Sequence, residues 1–212
     1  MPTCPLCLHE NLDEFHQDKH RQYWQCPICD LVSVPASFHL SADAEKAVYD
    51  LHDNAFADEG YQRFLSRTLT PLLQRVPQDA VGLDFGCGEG AVLSHMAAKQ
   101  GVKVHNYDLY YHPFAERLTG QYDFICLTEV IEHIYDAHGL IEQLTHMLKP
   151  GGILAVMTKR VLGHAEFIHW HYKNDPTHIN FYSQTTFEWI AKQHDGWQCE
   201  VIDKDVVFIT LA

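Results

Sequence analysis

Polar and apolar positions change their period along this 212-residue chain, and the change divides it. From residue 80 onward, short apolar runs alternate with stretches whose apolar positions recur at helical spacing. Residues 81–85 predict a strand and 90–99 a helix. Residues 102–107 predict a second strand, followed by a short irregular or helical piece. A strand at 122–127, a helix at 137–148 and a strand at 153–157 come next, the last after the turn Lys149-Pro150-Gly151-Gly152. This βαβα rhythm predicts a doubly wound α/β fold, a Rossmann-like parallel sheet with helices on both faces. An aromatic and His-rich loop runs from about 161 to 182. A helix at 183–193, opened by Ser183 as N-cap, and two strands at 199–202 and 206–211 close the chain.

Upstream the pattern differs. Ser41-Ala42-Asp43-Ala44-Glu45 reads as a helix start, and that helix should end before Asp53-Asn54. A second helix is expected over 59–76, where Tyr61, Phe64, Leu65, Leu69, Leu72 and Leu73 recur at helical spacing and Pro77 stops it. Residues 1–40 are turn-rich, broken by Pro5, Pro27 and Pro35, with short strands expected around Tyr23-Trp24 and Leu31–Val34. The expected organisation is a small head (1–40), a helical linker or lid (41–78) and a main domain (79–212).

The head carries Cys4-Pro5-Leu6-Cys7 and, eighteen residues later, Cys26-Pro27-Ile28-Cys29. A two-residue gap lets both thiolates of one turn face a single ion, and two such turns close a tetrahedral shell. Cys4, Cys7, Cys26 and Cys29 therefore predict a structural Zn²⁺ and a zinc-ribbon-like head, a staple that a segment this short needs to fold. A closed four-sulfur shell has no open position for catalysis. The remaining thiols, Cys87, Cys126 and Cys199, sit in or beside apolar segments and read as small core fillers.

Charge narrows the partners. Lys and Arg total 15 against 28 acids, a formal net charge of −13. Within residues 1–40 the strong bases are Lys19 and Arg21 alone, against five acids. That balance opposes binding to nucleic acid or anionic lipid. No apolar run approaches a membrane span and no signal peptide is visible, so a cytoplasmic protein with reduced thiols is expected.

The segment Asp84-Phe85-Gly86-Cys87-Gly88-Glu89-Gly90 follows the first main-domain strand. Glycines there permit a tight turn and a close approach of the backbone to a ligand. Asp108 ends the second strand, twenty residues past Gly88, where a carboxylate can take ribose hydroxyls. Thr128-Glu129-Val130-Ile131-Glu132-His133 ends the third strand, and Leu148-Lys149-Pro150-Gly151-Gly152 precedes the fourth. As a set, these segments resemble the class I S-adenosylmethionine-dependent methyltransferases. The resemblance covers about residues 80–159. It implies a seven-stranded sheet with an antiparallel last strand and S-adenosyl-L-methionine as cofactor. Asp84, Gly86 and Gly88 would then line its methionine end, with Cys87 a further cofactor contact, Asp108 its ribose, and Thr128 and Glu129 the region of the sulfonium. The whole chain is also similar to bacterial methyltransferases with a four-cysteine head, through Trp170–His178 and Phe181-Tyr182-Ser183.

Methyl transfer is an in-line displacement in which positioning can lower the barrier by about 7–11 kcal/mol. A base helps where the acceptor must lose a proton. His178 and His133 are the candidate bases, with Asp175 as orienting partner. Lys159, His171 and Tyr172 follow a strand end and are candidates for acceptor binding. Tyr49, His52 and Tyr61 are further candidates, in a segment that could close over the cofactor. A small-molecule acceptor is the leading expectation. An RNA or protein methyltransferase using the head for recognition, an NAD-dependent oxidoreductase and a non-enzymatic binding module are the alternatives. The sequence leaves the oligomeric state open.

Overall fold

The computed structural model describes residues 2–51 and 58–212; His52, Asp53 and Asn54 of the expected lid lie outside the described residues. The main sheet contains β4 (Val81–Phe85), β5 (Lys103–Tyr107), β6 (Tyr122–Thr128), β7 (Leu148–Met157), β9 (Gln198–Val201) and β10 (Val206–Thr210), in the order β5-β4-β6-β7-β10-β9. β5, β4, β6 and β7 are parallel, and β10 runs antiparallel to both β7 and β9. Strand order reverses at β4, the place where ligands bind in doubly wound folds.

The described sheet has six strands, not the seven expected. The reason is local. Residues 108–121 between β5 and β6 contain one 3-10 turn, Ala115–Thr119, too little chain for another strand and its crossover helix. β7 also starts earlier than residue 153. It pairs Tyr122 with Leu148 and Phe124 with Ile153, so Lys149-Pro150-Gly151-Gly152 forms a bulge inside the strand.

Period-2 alternation sorts the sheet's side chains onto two faces. Leu83, Ile125, Leu127, Leu154, Val156, Val207 and Ile209 face α4 (Ala137–Met147) and α6 (Gln184–Lys192). Phe124, Cys126, Ile153, Ala155, Met157 and Phe208 face α2 (Glu59–Leu73) and α3 (Val92–Ala98). α2 stops at Leu73, before Pro77, and tolerates Pro71 inside its last turn. α1 (Ala42–Tyr49) is capped by Ser41 as expected, and α6 by Ser183 through a capping box with Thr186.

Three head strands and one from the later loop form a second, antiparallel sheet: β1 (Asp13–Gln17), β2 (Gln22–Gln25), β3 (Val32–Ser33) and β8 (Asn180–Phe181). β1 is an edge strand with a mostly polar sequence, so no apolar run announced it. β8 comes from the loop expected at 161–182, which also contains α5 (His164–Ile168) and a 3-10 turn at His171–Asn174. The last head strand and the loop are thus one sheet. Cys4, Leu6, Leu12, Cys26, Cys29 and Leu31 also share an apolar cluster with Leu140, Leu144, Tyr182 and Phe187. His138 N–H donates to Pro5 O at 2.8 Å, tying α4 to the first cysteine turn.

Candidate active site

The four head sulfurs converge. All four ligand atoms lie within 4.8 Å of one another, with Cys4 Sγ 3.5 Å from Cys29 Sγ and Cys7 Sγ 3.3 Å from Cys26 Sγ. A tetrahedral zinc with Zn–S of about 2.3 Å spaces its sulfurs by about 3.8 Å. The two turns match each other in detail. Leu8 N–H donates to Cys4 O and Asp30 N–H to Cys26 O, and Leu8 and Asp30 both have φ near +60° (62° and 63°). The donor set and its geometry fit Zn²⁺.

At the C-terminal ends of β4, β5 and β6 a cavity of about 1230 Å³ opens. One wall is the loop Gly86–Gly90. Gly86 (φ +78°) and Cys87 both donate N–H to Tyr107 O, which folds this loop back on β5. A Cβ on Gly86 would lie 2.4 Å from Val130 Cγ2, so glycine is sterically required. At Gly88 (φ +65°) nothing stands within 4 Å of where a Cβ would point, which is open space over the backbone. Asp108 Oδ2 accepts the Gly88 N–H at 3.0 Å, and its Oδ1 accepts from Tyr110 N and Tyr111 N.

Asp84 lies beneath this wall rather than on it, 2 % exposed, and its Oδ1 has no partner among the described residues. Burial, then the nearby Asp108 carboxylate, pushes its carboxyl up to about 7. A buried carboxylate oxygen lacking a donor beside open backbone suits a cationic ligand group. Asp84, Gly88 and Asp108 thus fit S-adenosylmethionine, whose methionine end carries positive charge.

The far side of the cavity is built from the segment after β6 and from Asp175–Ile179. Thr128 and Glu129 line it, with Glu129 in the left-handed region (φ +55°), uncommon for a residue with a side chain. His133 and His178 also line it, their rings 4.7 Å apart. His133 Nδ1 lies 3.1 Å from Thr177 O and His178 Nδ1 2.8 Å from Tyr172 O. A carbonyl only accepts, so Nδ1 carries the proton in each ring and Nε2 carries the lone pair. Burial pushes both imidazoles down, His178 to about 4, so both are neutral near pH 7. Asp175 Oδ2 stands 3.8 Å from His178 Nε2, while Oδ1 accepts from the Thr177 N–H and hydroxyl.

Tyr49 and Tyr61 reach the cavity. α1 holds Tyr49 there: Glu45 accepts from Tyr49 OH through Oε1 and from Tyr110 OH through Oε2, both at 2.8 Å. The Tyr49 ring meets His133 edge-on at 5.4 Å. Three other candidates do not line the cavity. Lys159 Nζ is 3.0 Å from His171 Nε2 in an exposed contact. Tyr172 lies buried behind the wall, its hydroxyl donating to Glu132 Oε1 and standing 3.1 Å from Glu129 Oε2. It supports the site instead of facing an acceptor. Asp123 sits at the opposite end of β6, bound to Lys149 Nζ and Val81 N–H, and has no place in the site.

Two groups escaped the sequence reading. Glu132 is fully buried beside the two imidazoles. Its place next to His133 after a strand end was visible, but not that its side chain turns inward. Arg21, an isolated base in an acidic head, is 7 % exposed and contacts the loop of His178. Its isolation was a signal only once burial was known.

Residues 57–200, more than half the chain, match a family described as a methyltransferase domain. Among curated proteins, the chain is similar to the ubiquinone biosynthesis O-methyltransferase of Erwinia tasmaniensis, 29% identical over 94 residues covering 33% of this chain and 38% of that protein. The protein of that name from Escherichia coli O127:H6 is 27% identical, covering 33% and 39%. The chain thus spans well under half the length of these relatives. Among solved structures, it resembles a chain of the complex containing the Haloferax volcanii Trm112 methyltransferase activator (TM-score 0.55, 14% identity, 82% of this chain and 99% of that one). It also resembles human N-acetylserotonin methyltransferase in complex with SAM (TM-score 0.50, 14% identity, 80% and 55%). These two likenesses concern the fold. No helix among the described residues is long and apolar enough to cross a membrane. By its glycine loop, its strand order and its match over residues 57–200, the chain belongs to the methyltransferase-domain family.

Proposed function

We propose that this protein transfers a methyl group from S-adenosylmethionine to a hydroxyl of a small-molecule acceptor. One observation carries the reading: a single cavity runs from the glycine loop at Gly86–Gly90 to the imidazoles of His133 and His178. Its volume of about 1230 Å³ exceeds the ~300–1000 Å³ usual for one ligand, which leaves room for donor and acceptor together. The cofactor supplies an electrophilic methyl carbon on a sulfonium. Asp84, Gly88 and Asp108 would hold its two ends, and Thr128 and Glu129 would flank the reacting carbon.

The acceptor would enter on the side of Tyr49, Tyr61 and His133. As its oxygen bonds to the methyl carbon and the carbon–sulfur bond breaks, the hydroxyl proton must leave. A neutral Nε2 of His133 or His178 can take it, and Asp175 can hold the imidazolium that results. The O-methyltransferase relatives favour oxygen as the accepting atom, and the net charge of −13 disfavours RNA. Structural zinc on Cys4, Cys7, Cys26 and Cys29 would fix the head, and through β8 the loop that carries His178.

Calorimetry with S-adenosylmethionine and S-adenosylhomocysteine tests the cofactor site; both should bind in the micromolar range with one site per chain. A panel of phenols, catechols and other small alcohols, read by S-adenosylhomocysteine release, tests the acceptor class. Binding of NAD with indifference to both adenosyl compounds would end the reading.

A further inference from the structure

Beside the cavity, a carboxylate oxygen of Glu132 and one ring nitrogen each of His133 and His178 lie within 4.8 Å of one another. We infer that these three residues form a divalent-cation site, separate from the four head cysteines, with its open positions facing the acceptor side of the cavity. This assignment deepens the proposed function, because it names what would activate the acceptor, and it rests on that reading.

The polar bookkeeping points to a cation. Both imidazoles have committed Nδ1–H to a backbone carbonyl, Thr177 O and Tyr172 O, so each offers a lone pair at Nε2. That second hydrogen bond is the support that metal-binding imidazoles use to fix tautomer and orientation. Glu132 is 0 % exposed. Its Oε1 accepts the Tyr172 hydroxyl, and its Oε2 has no partner among the described residues. Two imidazole nitrogens and the Glu132 carboxyl therefore converge, with the Tyr172 hydroxyl donating to that carboxyl. The nearest strong cations are engaged elsewhere. Arg21 donates to the carbonyls of Lys173, Asp175, Pro176 and His178, and Lys159 Nζ contacts His171 and lies over the Tyr172 ring.

Two imidazoles and one carboxylate with open positions suit a divalent transition cation. Metal–ligand bonds of about 2.0–2.2 Å require the ligand atoms to draw in by roughly 1 Å. His133 and His178 border the cavity, so a hydroxyl, or two adjacent hydroxyls as on a catechol, could complete the shell there. With the cation bound, the Nε2 lone pairs hold metal instead of a proton. The cation then lowers the hydroxyl's pKa, and the proton leaves to water or to Asp175.

The test is Mn²⁺ binding to protein already holding one zinc per chain, because Mn²⁺ binds poorly to a thiolate set. Electron paramagnetic resonance, without donor or acceptor, should report one bound Mn²⁺ per chain. The His178→Ala and Glu132→Gln variants should bind at least about tenfold more weakly, with zinc content unchanged. His133→Ala, at a less buried position, should do the same if either of those variants fails to fold. Absence of stoichiometric Mn²⁺ binding at millimolar metal, or equal binding by folded variants, would overturn the site. Donor calorimetry keeps the two readings apart: Mn²⁺ bound without donor binding sinks the proposed function alone, and donor binding without Mn²⁺ sinks this site alone.

Discussion

Arg21, in the head, donates from Nη1 to the carbonyl oxygen of His178 at 2.8 Å, across 157 residues of sequence. The same guanidinium reaches the carbonyls of Lys173, Asp175 and Pro176. Asp18 closes the network. It accepts from the N–H of His20 and Arg21, from Tyr23 OH and from Lys173 Nζ. Burial opposes ionisation of Asp18, but these donors outweigh it and hold the carboxyl well below the usual range. The head therefore grips the backbone that presents one wall of the cavity.

Replacing Arg21 by Lys keeps the charge but cannot satisfy four carbonyls from one planar fork. The loss should cost about 3 kcal/mol of stability, and kcat should fall at least tenfold while the Kd for S-adenosylmethionine stays within about twofold. Steady-state kinetics beside calorimetry would separate these. Equal loss of donor affinity would mean that the head shapes the cofactor end as well.

Zinc removal should act along the same route. The cysteine turns support β3, and β3 pairs with Asn180–Phe181 just beyond His178. Extraction with a strong chelator, or Cys26→Ser, should lower the melting temperature and abolish turnover. Hydrogen exchange should rise in residues 171–182 as well as in the head. Protection confined to its original level in that loop would contradict the linkage.

Donor affinity should depend on pH through Asp84. Its folded carboxyl is raised to about 7 by burial and by Asp108, far above an unfolded carboxyl. A raised acid binds more protons folded than unfolded, so its contribution to apo-protein stability is lost as pH rises through about 7. A cationic donor favours the ionised form. Binding should therefore release a proton below pH 7 and tighten with rising pH by up to about tenfold per unit. Asp84→Asn should flatten that profile between pH 5.5 and 8. A flat profile in the unmodified protein would rule the coupling out.

Two glycines of the loop should respond differently to alanine. Gly86→Ala drives a Cβ into Val130 at 2.4 Å and should destabilise the fold by about 1–3 kcal/mol. Gly88→Ala meets open space, so its cost is the backbone strain of a side chain at φ +65°, about 1–2 kcal/mol, and the larger effect should fall on donor affinity. Thermal melts and donor titration of the pair measure both.

Local features of the chain were enough for most main-domain strands and for the helices that flank them, but not for β1, β8 or α5. Short apolar runs such as Phe124–Leu127 form strands wherever the sheet sits, and their side chains alternate between its two faces because alternation is a property of the backbone itself. The cysteine turns and Gly86–Gly90 are likewise short-range chemistry. Tertiary structure decided what spacing does not encode. It brought Asn180–Phe181 to the head sheet, turned Glu132 inward beside His133 and His178, and left Lys159 and His171 outside the cavity. Each of these depends on contacts between segments more than forty residues apart or on which way a loop side chain points. Burial and long-range pairing settle such questions, and no local pattern carries them.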